Sequence, residues 1–186
     1  MSIIQHRLST LVEQYLSINP RPVQEFDPDW RSPCETGEPY TNADGQRVIA
    51  WSPKPRALSD DFAGLENALD TAVHEDIKAF YAGYWSGNLE TNAEDGPVSL
   101  IQLWNFQDID RLIENLLGHA FAQKQSRSAL SIFVATTDPD SELFIAVRNN
   151  DGVVQLEKPG YKPVRKLAES LGDFLDTLTP CASPPR

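Results

Sequence analysis

The sequence predicts an α+β domain, a mainly antiparallel central sheet covered by helices, and three observations lead there. Stretches of helical period and short apolar runs come in clusters instead of alternating strictly one for one. The runs in the second half are joined by turn-forming sequences short enough for antiparallel neighbours. The length of 186 residues, 40% of them apolar, suits one buried core, so residues 1–186 are expected to form a single compact domain.

The first element is a helix over residues 3–18, because Ile4, Leu8, Leu11, Val12, Tyr15 and Leu16 recur close to every 3.6 residues. Pro20 and Pro22 end it. Residues 19–46, with Pro28, Pro33 and Pro39 among many Asp, Glu and Gly, read as a Pro-rich surface connection and not as a regular element. Arg47–Trp51 is a short apolar run between Asp44-Gly45 and the pair Pro53 and Pro55, as a buried strand requires, and Trp51 anchors it in the core. Ser59 or Asp60 can cap a following helix whose stripe is Phe62, Leu65, Ala68 and Leu69, with acidic residues in the first turn where the helix dipole favours them. A second helix spans His74 to Tyr84 on Ile77, Phe80, Tyr81 and Tyr84, punctuated by Gly83 and Gly87.

Asn88–Glu94 and Val98–Trp104 form a hairpin across Glu94-Asp95-Gly96-Pro97. Asn105 caps the next helix with Asp108 three residues on, and Ile109, Leu112, Ile113, Leu116, Leu117 and Ala120 carry its core face. Leu130–Thr136, Leu143–Arg148 and Val153–Glu157 follow as an antiparallel meander turned by Asp138-Pro139 and Asn149-Asn150-Asp151-Gly152. A closing helix places Leu167, Leu171, Phe174, Leu175 and Leu178 on one face, and the Pro-rich tail 179–186 cannot continue it.

Chemistry is sparse. His6, His74 and His119 belong to no metal-binding spacing, so no metal is expected, and His119 reads as a packed helical residue before a general base. Nucleophile elbows, phosphate-cradling loops and dinucleotide fingerprints are missing, which leaves hydrolysis and nucleotide binding without an anchor, and no enzyme activity or cofactor is expected. Cys34 and Cys181 are two incidental thiols. No apolar run approaches the roughly 20 residues of a spanning helix, and the N-terminus lacks the apolar centre of a signal peptide, so a cytoplasmic address is expected.

Charge is the informative quantity. The net charge is −11, which repels nucleic acid and anionic lipid, and residues 25–95 alone hold 15 acidic and 5 basic residues. Solubility does not require carboxylates to be segregated in this way, so the middle of the chain is expected to form an acidic surface for a basic partner. The candidate partner-binding residues are Asp60, Asp61, Glu66, Asp70, Glu90 and Glu94.

The segment from Leu100 to Lys124, carrying Gln102, Trp104, Asn105, Glu114-Asn115-Leu116 and Gly118-His119, resembles the Syd family of SecY-interacting proteins. Ser32-Pro33-Cys34, Leu65-Glu66 with Ala68, Phe80-Tyr81 and Ile132–Thr136 extend the resemblance, which gives Glu66 the most weight among the acidic candidates. It implies a domain with an acidic concave face, attached to the cytoplasmic side of the inner membrane through SecY, the central subunit of the translocation channel. The wider fold group contains many toxin-immunity proteins, so the alternative partner is a basic toxin. Cytoplasmic loops of membrane proteins are rich in Lys and Arg, and an acidic groove is their complement.

Overall fold

The computed structural model describes residues 2–57 and 61–182. Helix α1 (Ile3–Ile18) begins with a capping box: Ser2 Oγ accepts the N–H of Gln5 at 3.2 Å and Gln5 Oε1 accepts the N–H of Ser2 at 2.9 Å. Its buried stripe is Ile4, Leu8, Leu11, Val12 and Tyr15, as the periodicity requires.

The segment expected to be an irregular connection contains two strands. β1 (Val23–Glu25) and β2 (Glu35–Thr41) flank β3 (Arg47–Trp51) in a three-stranded antiparallel sheet of order β1-β3-β2. The physical reason lies in β3: Val48, Ile49, Ala50 and Trp51 are all buried, so their backbone groups need partners on both sides. β2 supplies one side with mostly exposed residues, which carry no alternation to betray a strand. Gly37, at φ +70°, and Pro39 sit where the β2–β3 register shifts.

β4 (Lys54–Pro55) pairs with β5 (Tyr84–Trp85), and α2 (Ala63–Leu69) and α3 (Glu75–Tyr81) lie between them in sequence. Ser59 and Asp60, the expected caps, lie outside the described residues, and the N-cap position of α2 is held by Phe62 with no side-chain bond. His74 caps α3 through Nδ1, which accepts from the N–H of Asp76 at 3.2 Å. Tyr84, expected in that helix, pairs in β5 instead.

The main sheet has seven antiparallel strands. β6 (Leu89–Ala93) and β7 (Gly96–Leu100) form the expected hairpin; α4 (Phe106–Gln125) follows; β8 (Ser131–Thr136), β9 (Phe144–Arg148) and β10 (Val154–Glu157) form the meander. β11 (Arg165–Ala168) closes one edge and β12 (Thr179–Pro180) the other, giving the order β11-β10-β9-β8-β7-β6-β12. Asn105 caps α4 as expected: its Oδ1 accepts the N–H of Asp108 at 3.0 Å, while Asp108 Oδ2 accepts the N–H of Trp104 at 2.8 Å.

The closing helix is shorter than the sequence suggests. α5 runs only over Leu171–Asp176, capped by Ser170 Oγ, which accepts the N–H of Asp173 at 3.1 Å. Leu167 belongs to β11 and Leu178 lies past the helix end, because the backbone of β10 needed an edge partner more than α5 needed another turn. The tail also joins the sheet: Thr179 and Pro180 pair with Asn92 and Thr91, and the N–H of Cys181 donates to the Glu90 carbonyl at 3.0 Å. Pro180 is tolerated there because an edge strand needs no second row of bonds.

Register sorts the sheet into two faces. Leu89, Thr91, Val98, Leu100, Ala135, Ile145 and Leu156 share the face covered by α1, which meets β6 and β12, and by α5, which meets β11, with α3 packed on both helices. Glu90, Ser99, Thr136, Phe144 and Glu157 form one transverse row on the other face. α4 lies against the β8 side of that polar face, with Gln123 Nε2 donating to Ser131 Oγ at 2.6 Å.

Candidate functional site

Because all seven strands are antiparallel, the β6–β7 turn, the β8–β9 loop and the β10–β11 connection emerge at the same end of the sheet. That end carries Glu94 and Asp95 from the first, Asp138, Asp140 and Glu142 from the second, all exposed. Asp95 pairs with Arg165, and Glu142 with Lys158 at 2.7 Å. The hydrogen bond from Lys158 holds the Glu142 carboxyl below its ordinary range. Glu94, Asp138 and Asp140 have no ion-pair partner among the described residues. The Asp138 carboxylate only organises its own loop, accepting the N–H of Asp140 at 2.9 Å. With Lys158, Lys162 and Arg165 of the β10–β11 side set against Glu94, Asp95, Asp138, Asp140 and Glu142, the turn end keeps an excess of negative charge facing solvent.

The sequence candidates fall into two groups. Glu90 and Glu94 share the β6 hairpin: Glu90 lies half-buried on the polar face and accepts from Ser99 Oγ at 3.1 Å, and Glu94 occupies the turn. Asp61, Glu66 and Asp70 instead surround α2. The opposite end of the sheet is bound to the α2–α3 connection, since Asn149 of the β9–β10 turn accepts the N–H of His74 at 2.9 Å and donates to the Ala72 carbonyl at 2.8 Å. Asp61 meets Arg56 at 2.8 Å. Glu66 accepts the N–H of Val73 at 2.7 Å and pairs with Lys78 at 2.5 Å, ties that hold its carboxyl below the ordinary value and fasten α2 to α3. Asp70 is exposed in the left-handed conformation, φ 49°, at the C-cap of α2. Asp60 lies outside the described residues. Sequence reasoning missed Asp138, Asp140 and Glu142 because Asp138-Pro139 is a turn signal, and only strand order places that turn beside Glu94.

His119 is a packed residue in this geometry. Its ring stands edge-on to Phe133 and Phe144, with centroids 6.0 and 5.4 Å away, and Nε2 is 3.5 Å from Ser131 Oγ. Burial pushes its pKa down, against the opposing pull of the Glu157 charge. Among the described residues no carboxylate hydrogen-bonds its ring to orient it as a base. Among the described residues no cluster of His, Cys, Asp or Glu is arranged to hold a metal ion, and no helix is long and apolar enough to cross a membrane.

Residues 5–180 match the family model described as Syd protein (SUKH-2). The chain is 44% identical to Protein Syd of Hahella chejuensis over 137 residues, which is 74% of this chain and 70% of that protein. It is 34% identical to Protein Syd of Pseudoalteromonas atlantica over 84% of this chain and 82% of the relative. With Protein Syd of Colwellia psychrerythraea it shares 35% identity over 85% of this chain and 80% of the relative.

Proposed function

The chain belongs to the Syd family, and from that premise we propose that it is a non-catalytic binding protein that docks on the basic cytoplasmic face of the SecY translocation channel, regulating or quality-controlling the translocase. The observation that carries this reading is the convergence of Glu94, Asp138 and Asp140, exposed and without ion-pair partners among the described residues, at one end of the sheet. Two connections more than 40 residues apart in sequence contribute to it, as a docking surface requires and a merely soluble surface does not. Excess Lys and Arg in cytoplasmic loops of membrane proteins provides the matching charge. Attachment to the membrane then runs through the protein partner, since a chain of net charge −11 is repelled by anionic lipid.

The test is binding of the purified protein to liposomes containing SecY, measured against empty liposomes at low and high salt. Exposed pairs contribute about 0.2–1 kcal/mol each, so the combined substitution Glu94→Lys, Asp138→Lys and Asp140→Lys weakens binding by roughly 1–3 kcal/mol, about 5- to 150-fold. Added salt weakens the wild type more than the variant. Equal binding to empty liposomes, or a variant that binds as well as the wild type, refutes the reading.

A further inference from the structure

The apolar face of the sheet is not wholly covered. α5 is only six residues long, and beyond Phe174 and Thr177 a cleft of about 330 Å³ opens between the β6–β7 turn, the β8–β9 loop and β11. Its walls are Val98, Leu143, Ile145, Leu156, Leu167 and Phe174, predominantly hydrocarbon. Its lip carries Glu94, Asp95 and Asp138, with Arg165 as the cation, and Arg165 is already engaged by Asp95. Hydrocarbon at the centre with unpaired carboxylates at the rim is the arrangement in which an apolar anchor supplies affinity and surrounding charges supply orientation.

The geometry points to a specific occupant, a polypeptide segment in which one large apolar side chain is flanked by Lys or Arg. The apolar side chain enters the cleft, and the flanking cations meet Glu94 and Asp138. This rests on the docking role proposed above and adds a sequence requirement to it. The volume lies at the low end of ligand pockets, which suits a side chain or two rather than a cofactor. Nucleic acid and anionic lipid bring the wrong charge to this lip. The chain's own C-terminal strand runs elsewhere: β12 is antiparallel to β6 and passes from Asn92 towards Glu90, away from the turn.

The experiment uses two fluorescent peptides of equal positive charge, one with a Phe between Lys and Arg residues and one with Ser in its place. The intact protein binds the Phe peptide about 10-fold or more tightly than the Ser peptide. Ala93→Trp fills the cleft from a strand position that suits an aromatic residue, and it abolishes the preference while leaving the Ser-peptide affinity unchanged. Should that variant fail to fold, Thr177→Trp fills the cleft from the exposed end of α5 and gives the same result. Equal binding of both peptides by the wild type, or a preference that survives in a folded cleft-filled variant, overturns the inference while leaving acidic docking intact. Binding of neither peptide overturns the docking role as well.

Discussion

Arg56 and Asp61 meet at 2.8 Å with side chains only 3% and 10% exposed, so a carboxylate that reads from the sequence as a surface charge is part of the interior. The same guanidinium donates to the Tyr81 carbonyl at 2.8 Å and lies over the Trp85 ring, 4.0 Å from its centroid. Removing one partner of a buried pair takes away much of the compensation for the other charge's desolvation. Asp61→Ala therefore destabilises the fold by on the order of 3 kcal/mol in urea unfolding, while the folded variant keeps the wild-type affinity for a basic partner. An unchanged unfolding midpoint would show that Arg56 is satisfied without it.

Gly87 is set by packing and not by the end of a helix. A Cβ built there meets Cζ2, Cε2 and Cη2 of Trp51 at 2.7, 3.0 and 3.2 Å. The indole cannot retreat, because Tyr15 stacks on it at 6.1 Å and Trp104 meets it edge-on at 6.2 Å. Gly87→Ala costs about 1–3 kcal/mol through overpacking and alters the near-ultraviolet circular dichroism of the tryptophans. A stability equal to wild type would mean that the aromatic cluster can move aside.

What the sequence discloses follows from how local each cause is. The cap of α4 is read directly because Asn105 and Asp108 act across three residues, and Arg47–Trp51 is read because its burial is written in its own side chains. β2 is not, since its exposed residues are recruited by β3, and β11 is not, since Leu167 fits the apolar spacing of the helix after it while its backbone completes the sheet edge. The site divides in the same way. Glu94 is legible as a turn carboxylate, but its neighbours Asp138 and Asp140 become neighbours only through strand order, and the pairing of Glu66 with Lys78 depends on how two short helices dock.

Cys34 is 2% exposed, and burial pushes its thiol up to about 11, despite the hydrogen bond from Ser32 Oγ at 3.0 Å. At pH 8 about one molecule in a thousand carries the thiolate there, and the thiolate is the nucleophile. Ellman's reagent is expected to label Cys181, the more accessible thiol, in the native protein and Cys34 only after unfolding by guanidinium. Two thiols reacting natively at one rate would contradict this packing.

His119 gives the fold a defined response to acid. Its ordinary pKa is 6.5, and burial between Phe133 and Phe144 holds the folded value below that, the Glu157 charge opposing in part. In the interval between the two values the unfolded chain takes up a proton and the native protein does not, so this histidine's contribution is present above pH 6.5 and is lost as pH falls through the interval. Carboxylates elsewhere also titrate in acid, which makes the wild-type profile alone ambiguous; the comparison with His119→Gln isolates the one group. Glutamine cannot be protonated and retains an amide for Ser131 Oγ. The stability of the wild type relative to His119→Gln is expected to decline as pH falls through 6.5, measured by urea unfolding at each pH. Parallel profiles for the two proteins would mean that the imidazolium is accommodated in the fold, and the packed, neutral role of His119 would be wrong.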